Sequence, residues 1–489
     1  DRGAIKNSTL FTMAEKLNIG SHDLPVSAAL NEFMKQGWAD TEERDLAPLP
    51  VVAYTRKRWQ RLSALFPNKR LVIPAGTFKV RANDTDFRFR AHSAFAWLTG
   101  IPGAEVVPDT VLVFEPEGNG HTAYLYLHPR SPRNTEEFFR DRRHGELWVG
   151  RRPSAAEAHA KYGMQIRHIN DLAKDLKDDV ETILVRGEDH KIDPLVPEND
   201  DEWRLLQMLA ELRLIKDEFE INEMRKAVDA TVRGFEDVVR ALPLAMKEER
   251  GERIVEGAFY TRARVEGNDV GYDTIAASGA HACILHWMRN DGAVRDGDLL
   301  LLDAGVEVES LYTADVTRTL PVNGQFSEAQ RKVYQLVLDA QKAALATIKP
   351  GAKFRDFHRA SQIVIANALA EWGILPVTAA ESLDPECGLH RRWTLCSTGH
   401  MLGIDVHDCA KARADQYLDG ILEVGHVLTV EPGLYFQADD ELIPSELRGI
   451  GVRIEDDIVV TENGYELLTA NLPREIDEIE SWMTRLLAE

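Results

Sequence analysis

Cysteine is scarce, with four residues in 489. Cys283, Cys387, Cys396 and Cys409 lack the short paired spacings of a zinc site, and so few thiols build no disulfide framework. Free thiols in a reducing cytoplasm are the expectation. Long apolar runs are missing too: none approaches the ~20 residues needed to span a bilayer. The opening residues, DRGAIKNSTLF, lack the apolar core of a signal peptide. Positive charge is in deficit, because 58 Lys and Arg face 80 Asp and Glu, for a net charge of −22. Nothing basic accumulates to displace counterions from a phosphate backbone, so nucleic acid is excluded as a partner. What remains, 44% apolar and 28% charged residues, is the composition of a globular protein in water. At 489 residues the chain exceeds one ordinary core, so more than one domain is expected.

Three regions follow along the chain. Residues 1–50 are polar and weakly periodic, with a short helix expected over 28–37, and read as an N-terminal extension. Over 51–214, apolar runs at 70–74, 110–115, 122–127 and 182–185 alternate with helical stretches, which predicts an α/β domain. The aromatic-rich stretch 87–101 reads as core. A long helix then opens at Asp217, with Glu220 three residues on as its capping-box partner. Ile221, Met224, Val228, Val232, Phe235, Val239 and Leu242 give it one apolar face, and Pro243 is expected to end it. This helix begins the second domain, 215–489, in which helices precede strands twice. One helix over 253–265 leads into the first strand-rich half; helices over 328–348 and 354–372 lead into the second.

Residues 298–319 organise that domain. Positions 299–302 are four leucines in a row, a strand buried on both faces, and it runs into Asp303 at an Ala304–Gly305 turn. Asp315 lies on the β-branched segment that returns. A carboxylate at the end of a buried strand is costly unless a partner or a metal offsets its desolvation. Two of them on one hairpin suggest either a shared cation or one capping and one salt-bridged aspartate. A second copy favours the cation. Gly297, Asp303 and Gly305 are echoed 128 residues on by Gly425, Glu431 and Gly433. Asp315, Asn323 and Gly324 are echoed 140 residues on by Glu455, Asn463 and Gly464. The difference implies about a dozen extra residues in the second copy, expected over 437–446. Two like halves each present two carboxylates to one centre.

Asp303, Asp315, His400, Glu431 and Glu455 therefore stand out. Four oxygen donors and one imidazole suit a pair of divalent ions better than a single zinc, because carboxylates bridge and manganese, cobalt or iron accept mixed shells. Such a pair positions a water, lowers its pKa and polarises a carbonyl. His407 and His286 are further candidates. Arg453, two residues before Glu455 and on the same strand face, either neutralises a bridging acid, binds substrate or forms a surface salt bridge.

Ser278-Gly279…Cys283-Ile284-Leu285-His286, Asp303-Ala304-Gly305, the 314–319 segment ADVTRT, the 397–408 segment STGHMLGIDVHD, the 429–435 segment TVEPGLY and the 451–457 segment GVRIEDD occur in one order. Together they resemble the pita-bread metallopeptidases, and most closely the Xaa-Pro aminopeptidases; 317–324 and 97–100 also look like that subfamily. The resemblance covers about 50–475. It implies a creatinase/prolidase-like α/β domain followed by a pita-bread catalytic domain with an internal pseudo-two-fold repeat. It also implies two divalent ions, most readily Mn2+ (Co2+, Zn2+ or Fe2+ alternatively), with Asp303 and Asp315 on one and His400 and Glu431 on the other. Asp315 and Glu455 would bridge both. His286 and His407 would attend the substrate and the tetrahedral intermediate. Tyr435 and Arg453 would stand behind the ligands, and Glu431 would pass a proton to the leaving proline nitrogen. The implied reaction is removal of the N-terminal residue from peptides with proline second, by a hydroxide bridging the ions. Implied too is a homodimer or homotetramer.

The chain departs from that pattern in places. Asp303 and Asp315 stand twelve residues apart, one more than expected, which predicts a bulge or a wider hairpin. Cys396 sits where a histidine is usual, four residues before the ligand histidine. The 410–420 segment is longer than usual. Prolidase, confined to dipeptides, is the nearest alternative. A pita-bread peptide-binding module is the alternative of another class, and it would not retain all five ligands.

Overall fold

The computed structural model describes residues 17–489; residues 1–16 of the expected extension lie outside them. The chain packs as two compact units. Among the described residues, one comprises 17–52 with 68–92 and 105–198; the other comprises 53–67, 93–104 and 199–489. Contacts thus divide the chain differently from a single cut at 214, because the helices Val52–Leu65 and Ser93–Thr99 pack almost entirely with the second unit. Arg58 shows why: its guanidinium donates to the carbonyl of Trp97 at 2.7 Å and to Asp217 at 2.8 Å.

In the first unit five strands form a mixed sheet. In space they run Gln165–His168, Gly120–Leu127, Val111–Glu117, Arg70–Pro74 and Thr182–Leu184. The central pairs are antiparallel and both edge pairs parallel. Val72, Val113, Tyr126 and Leu184 fill one face. The described part of the extension is tied back to this unit. Asn18 donates twice to Asp141 at 2.9 Å, Arg142 reaches Asp23 at 2.8 Å, and the Glu43 amide donates to Glu157 at 2.7 Å. The short helix Ala28–Met34, capped by Ser27, buries none of its residues.

The second unit holds the repeat. Helix α1 (Glu218–Ala245) starts at the predicted capping box, Glu220 N–H to Asp217 at 3.0 Å and Asp217 N–H to Glu220 at 2.8 Å. It outlasts its expected stop at Pro243 by two residues. A proline in the last turn forfeits only one intrahelical bond, and the Met246 amide closes the turn on Leu242 at 3.0 Å. Gly234 lets the ring of Phe259, on α2 (Gly251–Glu266), reach within 2.6 Å of where a Cβ would stand. Helices α3 (Glu328–Leu345) and α4 (Phe354–Glu371) form the second pair.

Each helix pair is followed by a buried strand pair. Strand β1 (Leu299–Ala304) lies between Ile275–Ser278 and β2 (Val316–Pro321), in a register that sets Asp303 opposite Thr317. Every residue of β1 and β2 is buried. In the second repeat β3 (Val427–Val430) pairs β6 (Asp456–Thr461), and β4 (Gly433–Tyr435) pairs β5 (Gly451–Arg453). Shifting β2 by 140 residues lands on β6 end to end. Gly297 and Gly425 precede the equivalent strands with φ of +86° and +93°, a conformation that glycine adopts without strain. The dozen additional residues lie in the loop between β4 and β5. The long Asp303–Asp315 interval is a wider hairpin without a bulge. The β1–β2 register runs without a shift, and Val306–Glu307 bridges back to Thr313 through a turn with Leu311 at φ +69°. A single bridge, Thr317 to Glu455, joins the two repeats, with the Glu455 amide donating to Thr317 O at 3.0 Å.

Candidate metal centre

That bridge lies at the chemistry. All nine residues singled out from the sequence line one cavity of about 190 Å³: Asp303, Asp315, His400, Glu431, Glu455, His286, His407, Arg453 and Tyr435. Cys396 lines it as well. Asp303 is the last residue but one of β1, Asp315 precedes β2, Glu431 follows β3 and Glu455 precedes β6, so the repeat itself aims the four acids inward. His400 is carried by the 397–408 segment, whose main chain is fixed on the second repeat: Thr429 N–H donates to His400 O at 2.9 Å and Glu431 N–H to Thr398 O at 2.7 Å.

The side chains are oriented by their neighbours. Asp303 accepts from Tyr272 Oη at 2.6 Å and from Arg453 Nη2 at 2.7 Å. Arg453 also donates to Tyr435 Oη at 2.9 Å and to Thr317 Oγ1 at 3.3 Å. Only 5% exposed, Arg453 is a buried partner of Asp303 and no surface salt bridge. Thr317 Oγ1 in turn donates to Glu455 Oε2 at 2.7 Å. His400 Nδ1 lies 2.9 Å from the carbonyl of Met401, which fixes that nitrogen as the donor. Its Nε2 faces Asp315 at 3.3 Å and Glu431 at 3.2 Å. His407 sets its ring edge-on to His400, centroids 4.5 Å apart.

Electrostatically the cluster is short of positive charge. Burial, and then repulsion from Asp315, Glu431 and Asp303, pushes the Glu455 carboxyl well above its ordinary range. Asp303 is raised by burial, against the attraction of Arg453. Burial opposes a charge on His400, but hydrogen bonds to Asp315 and Glu431 outweigh it and hold that imidazole well above its usual value. Burial thus works against charge on Glu455 and Asp303, and a cation among them would relieve it.

Ligand atoms of Asp315, His400 and Glu455 all lie within 4.8 Å of one another. Glu455 Oε1 is buried and has no hydrogen-bond partner. A buried carboxylate oxygen facing two more donor groups is costly, and a cation removes the cost. The donor set fits divalent metal.

Four orienting groups escaped the sequence reading: Tyr272, Thr317, Thr429 and Asp457. Thr429 receives the His400 amide at 3.1 Å and donates to Glu431 at 3.2 Å; Asp457 receives the Asp315 amide at 3.0 Å. Thr317 was open to inference, since it stands opposite Asp303 in the hairpin. Tyr272 and Asp457 gave no local signal.

A pita-bread fold with acids and imidazole converging between its repeats defines a metallopeptidase. Residues 222–462 match the model of metallopeptidase family M24, and residues 54–184 match the N-terminal domain of aminopeptidase P. Xaa-Pro aminopeptidase 1 of Streptomyces coelicolor is 57% identical over 467 residues, covering 94% of this chain and 93% of that one. The Escherichia coli Xaa-Pro aminopeptidase is 32% identical over 452 residues, covering 88% and 97%. Among solved structures, Pseudomonas aeruginosa aminopeptidase PepP superposes with a TM-score of 0.78 at 31% identity, covering 91% and 100%. Zinc-substituted E. coli aminopeptidase P in complex with product gives 0.79 at 30%, covering 90% and 99%. The chain belongs to the Xaa-Pro aminopeptidases, metal-dependent hydrolases of family M24. All four cysteines are free, and no helix among the described residues is long and apolar enough to cross a membrane.

Proposed function

We propose that this enzyme removes the first residue from peptides carrying proline in the second position. The observation that carries the reading is the convergence of four carboxylates and His400 on one cavity, with Glu455 Oε1 left without a donor. Asp303 and Asp315 would hold one ion and His400 and Glu431 the other, with Asp315 and Glu455 shared. Such ions, when bound, supply a water of lowered pKa and a Lewis acid for the scissile carbonyl. Manganese is the proposed occupant, and the donor set also suits cobalt, iron or zinc.

The chain's own groups do the rest. Arg453 holds Asp303 in place, and Tyr435 holds Arg453. His407 and His286, both exposed on the cavity wall, would hold the substrate carbonyl, with an imidazole N–H of His407 donating to the oxygen as charge develops. Burial, and then the charge on His400, lowers the pKa of His407. Glu431 would carry the proton to the leaving nitrogen. A bond to proline is a tertiary amide with no N–H to recognise, so selection falls to the ring, which the apolar walls Ile275, Leu285 and Val406 suit.

The family-model ranges support a division into an extension (1–50), an α/β domain (51–214) and the catalytic domain (215–489). The free thiols support a cytoplasmic setting. Exposed Leu147, Trp148 and Val149 support a homodimer or homotetramer. The test is metal-depleted protein, resupplied with manganese, on Arg-Pro-Pro and Gly-Pro side by side. Release of arginine from the tripeptide, lost in Asp315→Ala, is the expected result. Cleavage of the dipeptide alone would make it a prolidase, and cleavage of neither would remove the peptidase reading.

A further inference from the structure

We propose that Asp408 is a positioning residue for the reaction: gripped by the buried cations Lys216 and Arg213, it sets the His407 imidazole toward the substrate carbonyl. The inference rests on the aminopeptidase reading above and on the part given there to His407. That ring needs such help. It is exposed on the cavity wall, and among the described residues it takes part in no hydrogen bond; its ring contact is with His400, 4.5 Å between centroids. His400, by contrast, is fixed by its own Nδ1, which donates to Met401 O at 2.9 Å. An imidazole without bonds of its own points where its main chain directs it, and the next residue along that chain is Asp408.

Asp408 is buried and does not line the cavity. Its Oδ2 accepts from Lys216 Nζ at 2.8 Å and from Cys409 Sγ at 3.1 Å, and its Oδ1 accepts from Arg213 Nη2 at 3.0 Å. Arg213 donates to Asp405 as well, at 2.8 Å. A buried carboxylate between two cations is held far more firmly than one in water, because moving away from either strands a charge at low dielectric. The clamp is itself anchored. Lys216 N–H donates to Gly425 O at 2.9 Å, just ahead of β3, and the residue after Lys216 caps α1.

The segment from His400 to Asp408 closes around that carboxylate. Asp408 N–H donates at 3.0 Å to Met401 O, the same carbonyl that receives His400 Nδ1. Thr313 N–H, from the hairpin that carries Asp303 and Asp315, donates to Gly403 O at 3.1 Å. Position 403 has no room for a side chain, since a Cβ there would stand 2.6 Å from Asp408 Oδ2. One buried charge therefore fixes a loop whose ends carry the His400 and His407 rings. A donor that meets the carbonyl oxygen as charge develops acts in the transition state, so a misaimed His407 is read in kcat and not in KM. Displacing such a group by about an ångström costs on the order of a hundredfold.

The test measures kcat, KM and bound manganese for the manganese-loaded full chain on Arg-Pro-Pro. Asp408→Asn is expected to lower kcat by about tenfold to a hundredfold, with KM within about twofold of wild type and manganese content unchanged. The asparagine leaves two buried cations short of a partner, so Asp408→Asn/Lys216→Met, which removes one charge of each sign, is the second variant. Melting curves verify that it is folded, and the same loss of kcat is expected. The deciding readout is a cycle with His407→Ala. In that background Asp408→Asn is expected to cost no more than about twofold, because the ring it aims is gone. Losses that multiply across the cycle would overturn the inference, by giving Asp408 a role independent of His407. An unchanged kcat would overturn it too, and so would lost manganese, which places the effect at His400. If the unaltered enzyme releases no arginine, the aminopeptidase reading falls and the clamp goes with it.

Discussion

The acid that ends the strand of the first repeat and the acids of the second stand in different electrostatic company. Both oxygens of Asp303 are met by protein donors, Tyr272 and Arg453. Glu455 has one oxygen on Thr317 and one on nothing, and Glu431 shares His400 with Asp315. The cation that satisfies the first repeat, Arg453, is contributed by the second. Sequence symmetry is thus not charge symmetry. Asp303 is neutralised by a protein cation, whereas Glu455 Oε1 is left without a protein donor.

The sharpest way to break the comparison is Glu455→Gln. Activity and bound metal are expected to fall by more than about a hundredfold, beyond what groups that merely orient ligands cost. Under chelation the same variant is expected to melt at a higher temperature than wild type, because an uncompensated buried acid has gone. Metal content and paired melting curves check both halves. A chelated variant that melts lower would mean that Glu455 is satisfied without metal.

Arg453→Met attacks the other repeat and should behave in the opposite way. It strands Asp303, so the chelated protein is expected to lose about 3 kcal/mol in urea unfolding, along with activity. Thr317→Val should cost less, about 1–2 kcal/mol and roughly tenfold in metal affinity by titration, with Thr317→Ser restoring most of it. The smallest expected effect concerns pH. Folding raises the Glu455 pKa above its ordinary 4.5, so the folded, chelated chain keeps a proton that the unfolded chain has released. The stability from this group is full below 4.5 and is lost as pH rises through the raised value. The stability gap between chelated Glu455→Gln and chelated wild type is therefore expected to widen with pH, and saturating manganese should reverse its sign.

Much of this centre was legible because it is written twice. Asp303 with Glu431 and Asp315 with Glu455 hold fixed offsets, and those offsets carry whole strands with them, as β2 and β6 show. Arg453 could be placed beside the acids, but its partner could not be named, because Asp303 lies 150 residues away. Tyr272 and Asp457 were out of reach for the same reason, since their hydrogen bonds to Asp303 and to the Asp315 amide exist only once the chain has folded. Pro243 misled because local stereochemistry forbids a helix interior but tolerates a last turn. The contact units depart from a boundary at 214 because the helices Val52–Leu65 and Ser93–Thr99 are assigned by packing and not by neighbouring sequence.

The single rung between Thr317 and Glu455 also sets an order of events in the life of the chain. A nascent polypeptide that has completed only the first repeat owns Asp303 and Asp315 but neither His400, Glu431 nor Glu455. With two of the five proposed ligands it would hold a metal ion only weakly. On the ligand assignment proposed above, loading would wait until the second repeat has folded and zipped onto the first, and the ion would arrive as the seal on a finished domain and not as a seed for its folding.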